Sequence, residues 1–347
     1  MNILKIFLTG ATGFVGGQLI HNLLQDKSNE LYILYRDESR KNKLITDDNK
    51  AQLHFIKGDI TLPGFGVDDE TIAKLPPMDY FYHLAALVKF DEHLRDELFK
   101  INYEGTKHAL EFAQKVHTNH FLYVSTAYTV GLKEHAEEIM HDMNAPTNNP
   151  YEESKVKAEH LVQSSHMKTS ILRPAIIIGD SVTGEADSKF TLYGFMKALK
   201  VFKRKMDRNP AYNNQTFRFF VDDNCTSNLV PVDYVVRVLT RAIPYAEDKK
   251  IYHITNNNPP ENLKVLSIIK KYLNFDNLTV APTSERDTMN SQEAILNGYI
   301  EVFQPYFKRS VTFDETNTKA LLAKTDEASL NLTPEQLEHI IAVFFSQ

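Results

Sequence analysis

Short apolar runs alternate with amphipathic segments through the first half of the chain. The apolar runs predict strands at Ile3–Leu8, Leu31–Tyr35, Leu53–Ile56, Tyr80–Leu84, Phe121–Val124 and Ser170–Leu172. The amphipathic segments predict helices at Val15–Leu24, Glu97–Val116 and Tyr151–Gln163. Near-continuous apolar strands that alternate with helices are typical of a parallel, doubly wound sheet with helices on both faces. We therefore expect an α/β protein of the Rossmann type.

The pattern changes after Arg173-Pro174. Helices are predicted at Phe195–Met206, Val232–Ile243, Asn262–Leu273 and Pro334–Phe344, and strands at Thr216–Val221, Ile251–Ile254 and Leu278–Ala281. This half indicates a smaller, mixed α/β cap interleaved with the last strands of the main sheet. We expect a first domain over residues 1–180, to which strands near 228–256 return, and a cap that occupies most of residues 181–347.

Composition and charge exclude several classes of protein. The 347 residues carry a net charge of −6, so no general attraction to nucleic acid or to an anionic membrane is expected. The single cysteine, Cys225, excludes an internal disulfide and a cysteine-based zinc site, and the histidines show no metal-binding spacing. No run approaches the roughly 18 apolar residues of a membrane span. We expect a cytoplasmic protein without metal or integral membrane segment.

Three glycines follow the first predicted strand and open the first predicted helix. They are Gly10, Gly13 and Gly16, spaced three residues apart. A glycine turn at a helix N-terminus lets backbone N–H groups and the helix dipole face a pyrophosphate, because no Cβ stands in the way. The last glycine lets the helix pack closely on the strand. The turn predicts a dinucleotide site.

The second predicted strand ends in Tyr35-Arg36-Asp37. NAD-dependent enzymes usually place a carboxylate at this tip to bind the ribose hydroxyls. Tyr35 stands there instead, and the guanidinium of Arg36 suits a 2′-phosphate in charge and geometry. Asp37 keeps open the alternative of a displaced ribose carboxylate. The tip favours NADP(H), with NAD(H) as the alternative.

Two more strand ends add cofactor candidates. Gly58-Asp59-Ile60 follows the third strand, where a carboxylate can accept a hydrogen bond from the adenine amino group. His83-Leu84-Ala85-Ala86 ends the fourth strand, and its small residues would let the backbone pass close to the nicotinamide ribose.

A tyrosine and a lysine share one face of a predicted helix. Tyr151 and Lys155 are four residues apart, so both side chains can point at one ligand. A phenol with a pKa near 10 is a poor acid at neutral pH, and a neighbouring Lys155 would lower that pKa. Upstream, a strand ends in Ser125-Thr126, where a hydroxyl could orient a substrate carbonyl beside the tyrosine.

Together these motifs resemble the extended short-chain dehydrogenase/reductase superfamily. The matching pieces occur in the family's order: Thr9-Gly-Ala-Thr-Gly-Phe-Val-Gly16, Gly58-Asp-Ile60, His83-Leu-Ala-Ala86, Asn102-Tyr-Glu-Gly-Thr106, Val124-Ser-Thr126, Tyr151-Glu-Glu-Ser-Lys155 and Arg173-Pro174. The resemblance implies a catalytic set of Thr126, Tyr151 and Lys155; alignment on Gly131 selects Thr126 over Ser125. It also implies these cofactor-binding residues: Thr9, Gly10, Thr12, Gly13, Phe14, Val15, Gly16, Arg36, Asp59, Ile60, Ala85, Ala86, Asn102, Lys155 and Pro174.

A narrower resemblance involves later segments. Ile176-Ile-Ile-Gly-Asp180, Thr183-Gly-Glu185, Asn149-Pro-Tyr-Glu-Glu-Ser-Lys155, Asn228-Leu-Val-Pro-Val-Asp233 and Phe313-Asp-x-x-Asn-Thr318 are similar to the thioester-reductase and fatty-acyl-CoA-reductase branch, which has a male-sterility-type NAD-binding domain. That branch implies NADPH-dependent reduction of an acyl thioester, CoA- or carrier-bound, to an aldehyde or alcohol by a monomer or homodimer. The alternatives are a sugar-nucleotide epimerase, a ketone or hydroxysteroid reductase on the same scaffold, and a non-catalytic NADP sensor. The intact Tyr151 and Lys155 argue against the sensor.

Overall fold

A computed structural model describes residues 3–187, 191–212, 215–221 and 225–347. The strands are β1 (Lys5–Thr9), β2 (Glu30–Tyr35), β3 (Leu53–Lys57), β4 (Tyr80–His83), β5 (His120–Val124), β6 (His135–Ala136), β7 (Thr169–Pro174), β8 (Ile176–Ile178), β9 (Phe217–Phe220), β10 (Leu229–Pro231), β11 (Ile251–Ile254), β12 (Leu278–Ala281) and β13 (Thr312–Phe313). The α-helices are α1 (Phe14–Leu23), α2 (Glu38–Asn42), α3 (Asp69–Lys74), α4 (Arg95–Leu98), α5 (Gly105–Lys115), α6 (Pro150–Ser164), α7 (Leu192–Asp207), α8 (Val232–Tyr245), α9 (Asn262–Leu273), α10 (Ser291–Tyr299), α11 (Thr316–Leu322) and α12 (Pro334–Ser346). Among the helices of the described ranges, none has the length and hydropathy that crossing a bilayer requires.

The chain divides into two units, each built from separate stretches of sequence. The first contains the residues up to Ala175 together with Val232–Thr255 and Phe313–Leu330. The second contains Ile176–Pro231, Asn256–Thr312 and Asn331–Gln347. The sequence-based division at residue 180 differs from this one chiefly at Phe313–Leu330, which it placed in the cap.

The first unit is built around a parallel sheet of seven strands in the order β11-β7-β5-β4-β1-β2-β3. The predicted doubly wound α/β fold is confirmed. The strand order reverses between β1 and β4, and in open sheets of this kind the crevice at the carboxyl ends of those strands binds ligands. The glycine turn after β1 and the loop after β4 therefore stand at the position where a dinucleotide is expected.

Aromatic packing holds the middle of this sheet. Phe7 of β1 stacks on Phe81 of β4 with ring centroids 4.6 Å apart, and Phe112 of α5 stacks on Phe65 at 4.5 Å. All four side chains are fully buried. Offset aromatic pairs in such geometry stabilise a core beyond the area that they bury. Helix α5 is thereby fixed over the centre of the sheet.

The prediction of a single helix over Glu97–Val116 is wrong for the interior of that range. The structure has α4, then a π-helical stretch at Phe99–Glu104, and then α5. A π-helical stretch has wider winding than an α-helix and occurs frequently at functional sites. Apolar periodicity could not separate the three segments, because the winding changes while the sequence stays amphipathic.

The second unit contains two short parallel pairs of strands. In one, β8 pairs with β10; in the other, β9 pairs with β12. Of the strands near residues 228–256, β11 lies in the seven-stranded sheet, where Ile254 is the partner of Pro174. Strand β10 lies in the second unit, because its three residues pair in parallel with the three residues of β8.

A buried carboxylate explains why the segment after Phe313 belongs to the first unit. Glu138 accepts hydrogen bonds from the N–H of His253 at 2.7 Å and from the hydroxyl and N–H of Thr318 at 2.7 and 3.2 Å. It also accepts one from the N–H of Asn317. These donors lie far along the chain from Glu138, so no local sequence pattern indicates the contact.

The first unit also contains a fully buried ion pair. Arg173 of β7 donates from Nε to Glu159 Oε1 at 2.9 Å and from Nη2 to Oε2 at 2.6 Å. Both side chains have no exposed surface. Paired planar donors and acceptors give such a contact geometric specificity as well as energy. Helix α6, which carries Glu159, is fixed to β7 by this pair.

We predict that Glu159→Ala destabilises the protein strongly. The substitution leaves the Arg173 charge buried without its carboxylate, and breaking a buried pair in this way costs about 3–5 kcal/mol. Glu70→Ala is the matched control, because Glu70 pairs with Lys74 at 2.6 Å but both side chains are exposed. The measurement is urea unfolding of both variants. A change under about 1 kcal/mol for Glu159→Ala, equal to that of an exposed pair, would contradict the prediction.

Candidate functional site

The glycine turn brings the ends of β1 and β4 into contact. Gly10 has a φ of +73°, and a Cβ built on it would lie 2.5 Å from the nitrogen of Ala85. Thr9, the last residue of β1, is fully buried, and its hydroxyl accepts a hydrogen bond from the Ala85 N–H at 3.4 Å. A side chain at position 10 would separate the two strand ends, so the crevice depends on this glycine.

The first turn of α1 offers free donors to an anion. Gly13 is the N-cap residue, no side chain caps the helix, and no acidic residue lies in its first turn. Phe14 and Val15 begin the helix, and Thr12 precedes them half-buried. The uncapped N–H groups and the helix dipole fit a pyrophosphate, for which a cradle without Cβ atoms is required. The residues present therefore fit a dinucleotide.

The third glycine serves packing. A Cβ on Gly16 would lie 2.3 Å from the carbonyl oxygen of Gly10 and 2.7 Å from Cα of Ala11. The neighbouring Gly17 has open space, with its nearest atom, the carbonyl oxygen of Ala11, at 4.0 Å.

The tip of β2 carries one exposed guanidinium. Arg36 Nη1 lies 3.3 Å from Asp59 Oδ2, and 76% of the Arg36 side chain is exposed. Asp37 accepts hydrogen bonds from the N–H groups of Ser39 and Arg40 and caps α2. These bonds, together with one from the Ser39 hydroxyl, lower the pKa of Asp37. The carboxylate that could compete for the ribose is thus engaged with its own helix.

A histidine that the sequence analysis did not assign stands between the strand ends. His83 is fully buried and lies with Nδ1 2.7 Å from the Thr9 hydroxyl and with Nε2 3.1 Å from the Thr106 hydroxyl. Burial, and less strongly the charge of Lys155, lower the pKa of His83 to about 3, so the ring is neutral. The histidine was visible in the motif His83-Leu84-Ala85-Ala86, but only the fold gives it a partner in β1.

Asn102 links the loop after β4 to α6. Its side chain donates to the Leu87 carbonyl at 3.0 Å and accepts from the Leu87 N–H at 2.7 Å. It also donates to the Ser154 hydroxyl at 3.0 Å. This asparagine, which lies in the π-helical stretch, holds the half-buried Ala85 and Ala86 segment against the helix of the tyrosine. Ser154 is a second residue that sequence reasoning missed.

The two remaining cofactor candidates lie at strand ends. The Ile60 carbonyl oxygen is 2.9 Å from His108 Nδ1, and Ile60 packs against Gly105 at the start of α5. Pro174 ends β7, where it is paired with Ile254 of β11. In the sheet order, β7 lies three strands from β1.

The predicted catalytic side chains meet at the carboxyl end of β5. The Thr126 hydroxyl lies beside the Tyr151 phenol and lowers the pKa of that phenol. Burial raises the pKa of Tyr151, the charge of Glu152 raises it further, and the effect of Thr126 offsets part of the rise. Ser125 is buried, and its hydroxyl has no partner among the described residues. The geometry therefore places Thr126, not Ser125, beside the phenol.

Lys155 is buried below the tyrosine. Its Nζ donates to the Val124 carbonyl at 2.8 Å and lies 4.4 Å from the centre of the Tyr123 ring. Burial lowers the pKa of Lys155 to about 7, although the charge of Glu159 opposes the shift. The sequence analysis expected Lys155 to lower the pKa of Tyr151; in the structure Thr126 is the group that lowers it.

The second unit holds an apolar pocket of its own. Its open space is about 560 Å³, including the part that opens to solvent. The apolar lining includes Leu192, Phe195, Phe219, Leu229, Leu266 and Phe307. The lining residues that carry polar groups are Thr191, Ser227, Asn262 and Tyr306. Within the described ranges, no cluster of His, Cys, Asp and Glu suited to a metal ion occurs.

Comparison with known proteins identifies the family. The family model NAD_binding_4, described as male sterility protein, matches residues 8–239. The chain belongs to this family. It is a branch of the extended short-chain dehydrogenases/reductases, a superfamily of NAD(P)-binding oxidoreductases, and the matched range contains the glycine turn, Tyr151 and Lys155.

Two curated relatives of the chain are named as reductases. The fatty acyl-CoA reductase wat of Drosophila melanogaster is 28% identical in an alignment of 290 positions, which covers 67% of this chain and 53% of that protein. The L-2-aminoadipate reductase of Schizosaccharomyces pombe is 25% identical in an alignment of 390 positions, gaps included, which covers 98% of this chain and 26% of the relative. The chain thus spans about half the length of the fatty acyl-CoA reductases that it matches.

A solved structure shares the fold. The terminal R domain from the myxalamid PKS-NRPS biosynthetic pathway superposes with a TM-score of 0.77 at 22% identity, covering all of this chain and 90% of that one. At this identity the likeness shows the fold of the family.

We predict that Gly16→Ala impairs both folding and dinucleotide binding, because the new methyl group overlaps the backbone of Gly10 and Ala11. Such overpacking costs about 1–3 kcal/mol, and the displaced turn should weaken binding of NADPH about tenfold. Gly17→Ala is the control: it has room and gains about 0.5–1 kcal/mol of helix stability. Thermal unfolding and fluorescence titration with NADPH measure both effects. Equal behaviour of the two variants would disprove the packing role of Gly16.

Proposed function

We propose that the chain is an NADP(H)-dependent reductase of acyl thioesters that forms an aldehyde or an alcohol. The observation that carries the proposal is the meeting of Thr126, Tyr151 and Lys155 at the carboxyl end of β5, beside the strand ends that fit a dinucleotide. Reductases among the relatives support the same chemistry.

The residues that would hold the dinucleotide follow from the crevice. The first turn of α1 would bind the pyrophosphate, and Arg36 would bind the 2′-phosphate. Asp59 would bind the adenine amino group, and Ala85 would lie next to the nicotinamide ribose. When bound, the dinucleotide supplies the hydride for the carbonyl carbon. We further propose that Lys155 anchors the ribose while its bond to Val124 keeps the side chain extended toward the site.

The hydroxyl groups of Thr126 and Tyr151 would both interact with the carbonyl oxygen of the substrate. Thr126 would hold that oxygen by a hydrogen bond, and Tyr151 would donate the proton as negative charge develops on it. With a thioester, the same two donors would stabilise the tetrahedral oxyanion before the thiol leaves. The raised pKa of Tyr151 keeps the phenol protonated before reaction, so the proton is present when the oxygen needs it.

The second unit supplies the argument for an acyl substrate. We propose that it is the substrate-binding cap and that its pocket accepts an apolar chain, because most of the lining is aliphatic or aromatic. A sugar nucleotide would require more polar groups than those of Thr191, Ser227, Asn262 and Tyr306. On α7, Lys197, Arg204, Lys205 and Arg208 are exposed and could attract the phosphates of a CoA or carrier-bound thioester.

We predict that Tyr151→Phe abolishes turnover and leaves cofactor binding intact. Loss of a general acid costs about 10²–10⁴ in rate, whereas the phenol is not among the groups assigned to the dinucleotide. The measurement is NADPH oxidation with a panel of acyl-CoA thioesters of increasing chain length, with chromatographic detection of aldehyde and alcohol. Tyr80→Phe is the matched control, because Tyr80 lies at the amino end of β4.

Two outcomes would refute the assignment. If Tyr151→Phe keeps more than about a tenth of the wild-type rate, Tyr151 is not the proton donor. If the wild type oxidises NADPH with a UDP-sugar or a ketone and with no thioester, the substrate class is wrong while the reductase site stands.

We also predict a preference for NADPH that depends on Arg36. A charge-assisted pair contributes about 1.5–3 kcal/mol, which corresponds to roughly ten- to a hundredfold in affinity. Arg36→Ala should weaken NADPH binding by that factor and leave NADH binding nearly unchanged. Arg36→Lys should lose part of the preference, since an ammonium keeps the charge without the planar fork. Tighter binding of NADH than of NADPH by the wild type would show that a carboxylate, not Arg36, recognises the ribose.

A further inference from the structure

Behind Thr126 lies a chain of buried hydrogen bonds that ends at the Arg173 guanidinium. The Thr129 hydroxyl donates to the Thr126 carbonyl oxygen at 3.2 Å. His141 Nδ1 lies 3.1 Å from that hydroxyl oxygen, and His141 Nε2 lies 3.4 Å from Arg173 Nη1. All four residues are buried, so bulk water does not compete for these groups.

The donors and acceptors in this series of hydrogen bonds allow only one direction of donation, from Arg173 toward the Thr126 carbonyl. A guanidinium has donors and no acceptor, so His141 Nε2 must accept and the ring proton must reside on Nδ1. Nδ1–H then donates to the Thr129 hydroxyl, whose own proton is directed at the Thr126 carbonyl. Burial and the nearby Arg173 lower the pKa of His141 to about 4, which keeps the ring neutral. The contact with Arg173 sets the tautomer of the neutral ring.

The guanidinium at the end of the chain is itself held on every side. Glu159 binds it through two oxygens, the Glu137 carbonyl lies 3.4 Å from Nη1, and His253 Nε2 lies 3.3 Å from the same nitrogen. His253 Nδ1 lies 2.7 Å from the Asp314 carbonyl, so its proton is on Nδ1 as well. Arg173 therefore provides a fixed end point for His141.

We infer that Thr129 and His141 are positioning residues that fix Thr126 for the proton transfer at Tyr151, an inference that rests on the proposed function. They act through the Thr126 peptide, which the Thr129 N–H also reaches at 3.4 Å. The Thr126 hydroxyl accepts from the Tyr128 N–H at 3.3 Å and lies close enough to the Tyr151 phenol to lower its pKa, so rotation of this peptide would move the hydroxyl away from the phenol. A displacement of about 1 Å at such a position can cost a hundredfold in rate.

The test removes the Thr129 hydroxyl and keeps the shape of the side chain. In Thr129→Val we expect kcat to fall about ten- to a hundredfold, with the Kd for NADPH unchanged within about twofold. Thr129→Ser, which keeps the donor, should restore kcat to within about threefold of the wild type. Thr129→Ala is the second variant in case valine disturbs packing.

The control separates positioning from stability. Thr169→Val also removes a buried hydroxyl, one that donates to the Val162 carbonyl at 3.3 Å at the other end of β7. It should lower the unfolding midpoint and leave kcat of the folded enzyme unchanged. Unaltered kcat in Thr129→Val, or equal losses in Thr129→Val and Thr169→Val, would overturn the inference.

The assay distinguishes this inference from the proposed function. Each variant is measured with an acyl-CoA and with the corresponding aldehyde, so turnover of the aldehyde alone refutes thioester reduction while still testing Thr129. If the wild type reduces neither, the proposed function fails, and the carbonyl ¹³C shift of Thr126 becomes the readout. That shift should change in Thr129→Val and return in Thr129→Ser; no change in either variant would overturn the inference.

Discussion

The ion pair between Arg173 and Glu159 is the contact on which the rest of the first unit depends. It fixes α6 to β7 at a depth from which water is excluded, so each charge depends on the other for its neutralisation. Lys155 lies one helical turn before Glu159, and its reach to Val124 follows from where the pair holds the helix. The same guanidinium orders two histidine rings, one from β11 and one from the loop before α6.

This arrangement places the buried ion pair and Lys155 one turn apart on the same face of α6. A carboxylate that is neutralised by a guanidinium still opposes the desolvation of Lys155, whose pKa is lowered only to about 7. The ammonium and neutral forms of Lys155 are therefore both accessible near neutral pH. A lysine buried without Glu159 nearby would lose its proton more readily, and its ability to bind a ribose hydroxyl as a donor would weaken.

Sequence reasoning succeeded where the physical signal is local. The turn at Gly10, Gly13 and Gly16 combines a positive φ with close backbone approaches, and only glycine meets both requirements. Tyr151 and Lys155 are one turn apart, so helical spacing alone brings them to one face. The central strands were recognisable because both faces of a parallel sheet are buried there, which favours near-continuous apolar runs such as that of β1.

The contacts that escaped prediction join residues that are distant in the chain. Glu138 meets Thr318, His83 meets Thr9, and His141 meets Arg173 only after the sheet has formed. Nothing in the flanking residues indicates such partners, because hydrogen-bonding groups carry no periodicity. The π-helical stretch at Phe99–Glu104 was hidden as well, and it contains Asn102, whose side chain bonds Leu87 in the loop after β4.

The discontinuity of the first unit has a consequence for biosynthesis. Glu138 leaves the ribosome long before Asn317 and Thr318, which supply most of its hydrogen bonds, and β11 follows β7 only after the whole of α7 and α8 has been made. During that interval the nascent chain carries a sheet with an open edge at β7 and an unpartnered carboxylate. A chain of this topology completes its cofactor domain only after most of the second unit has already emerged.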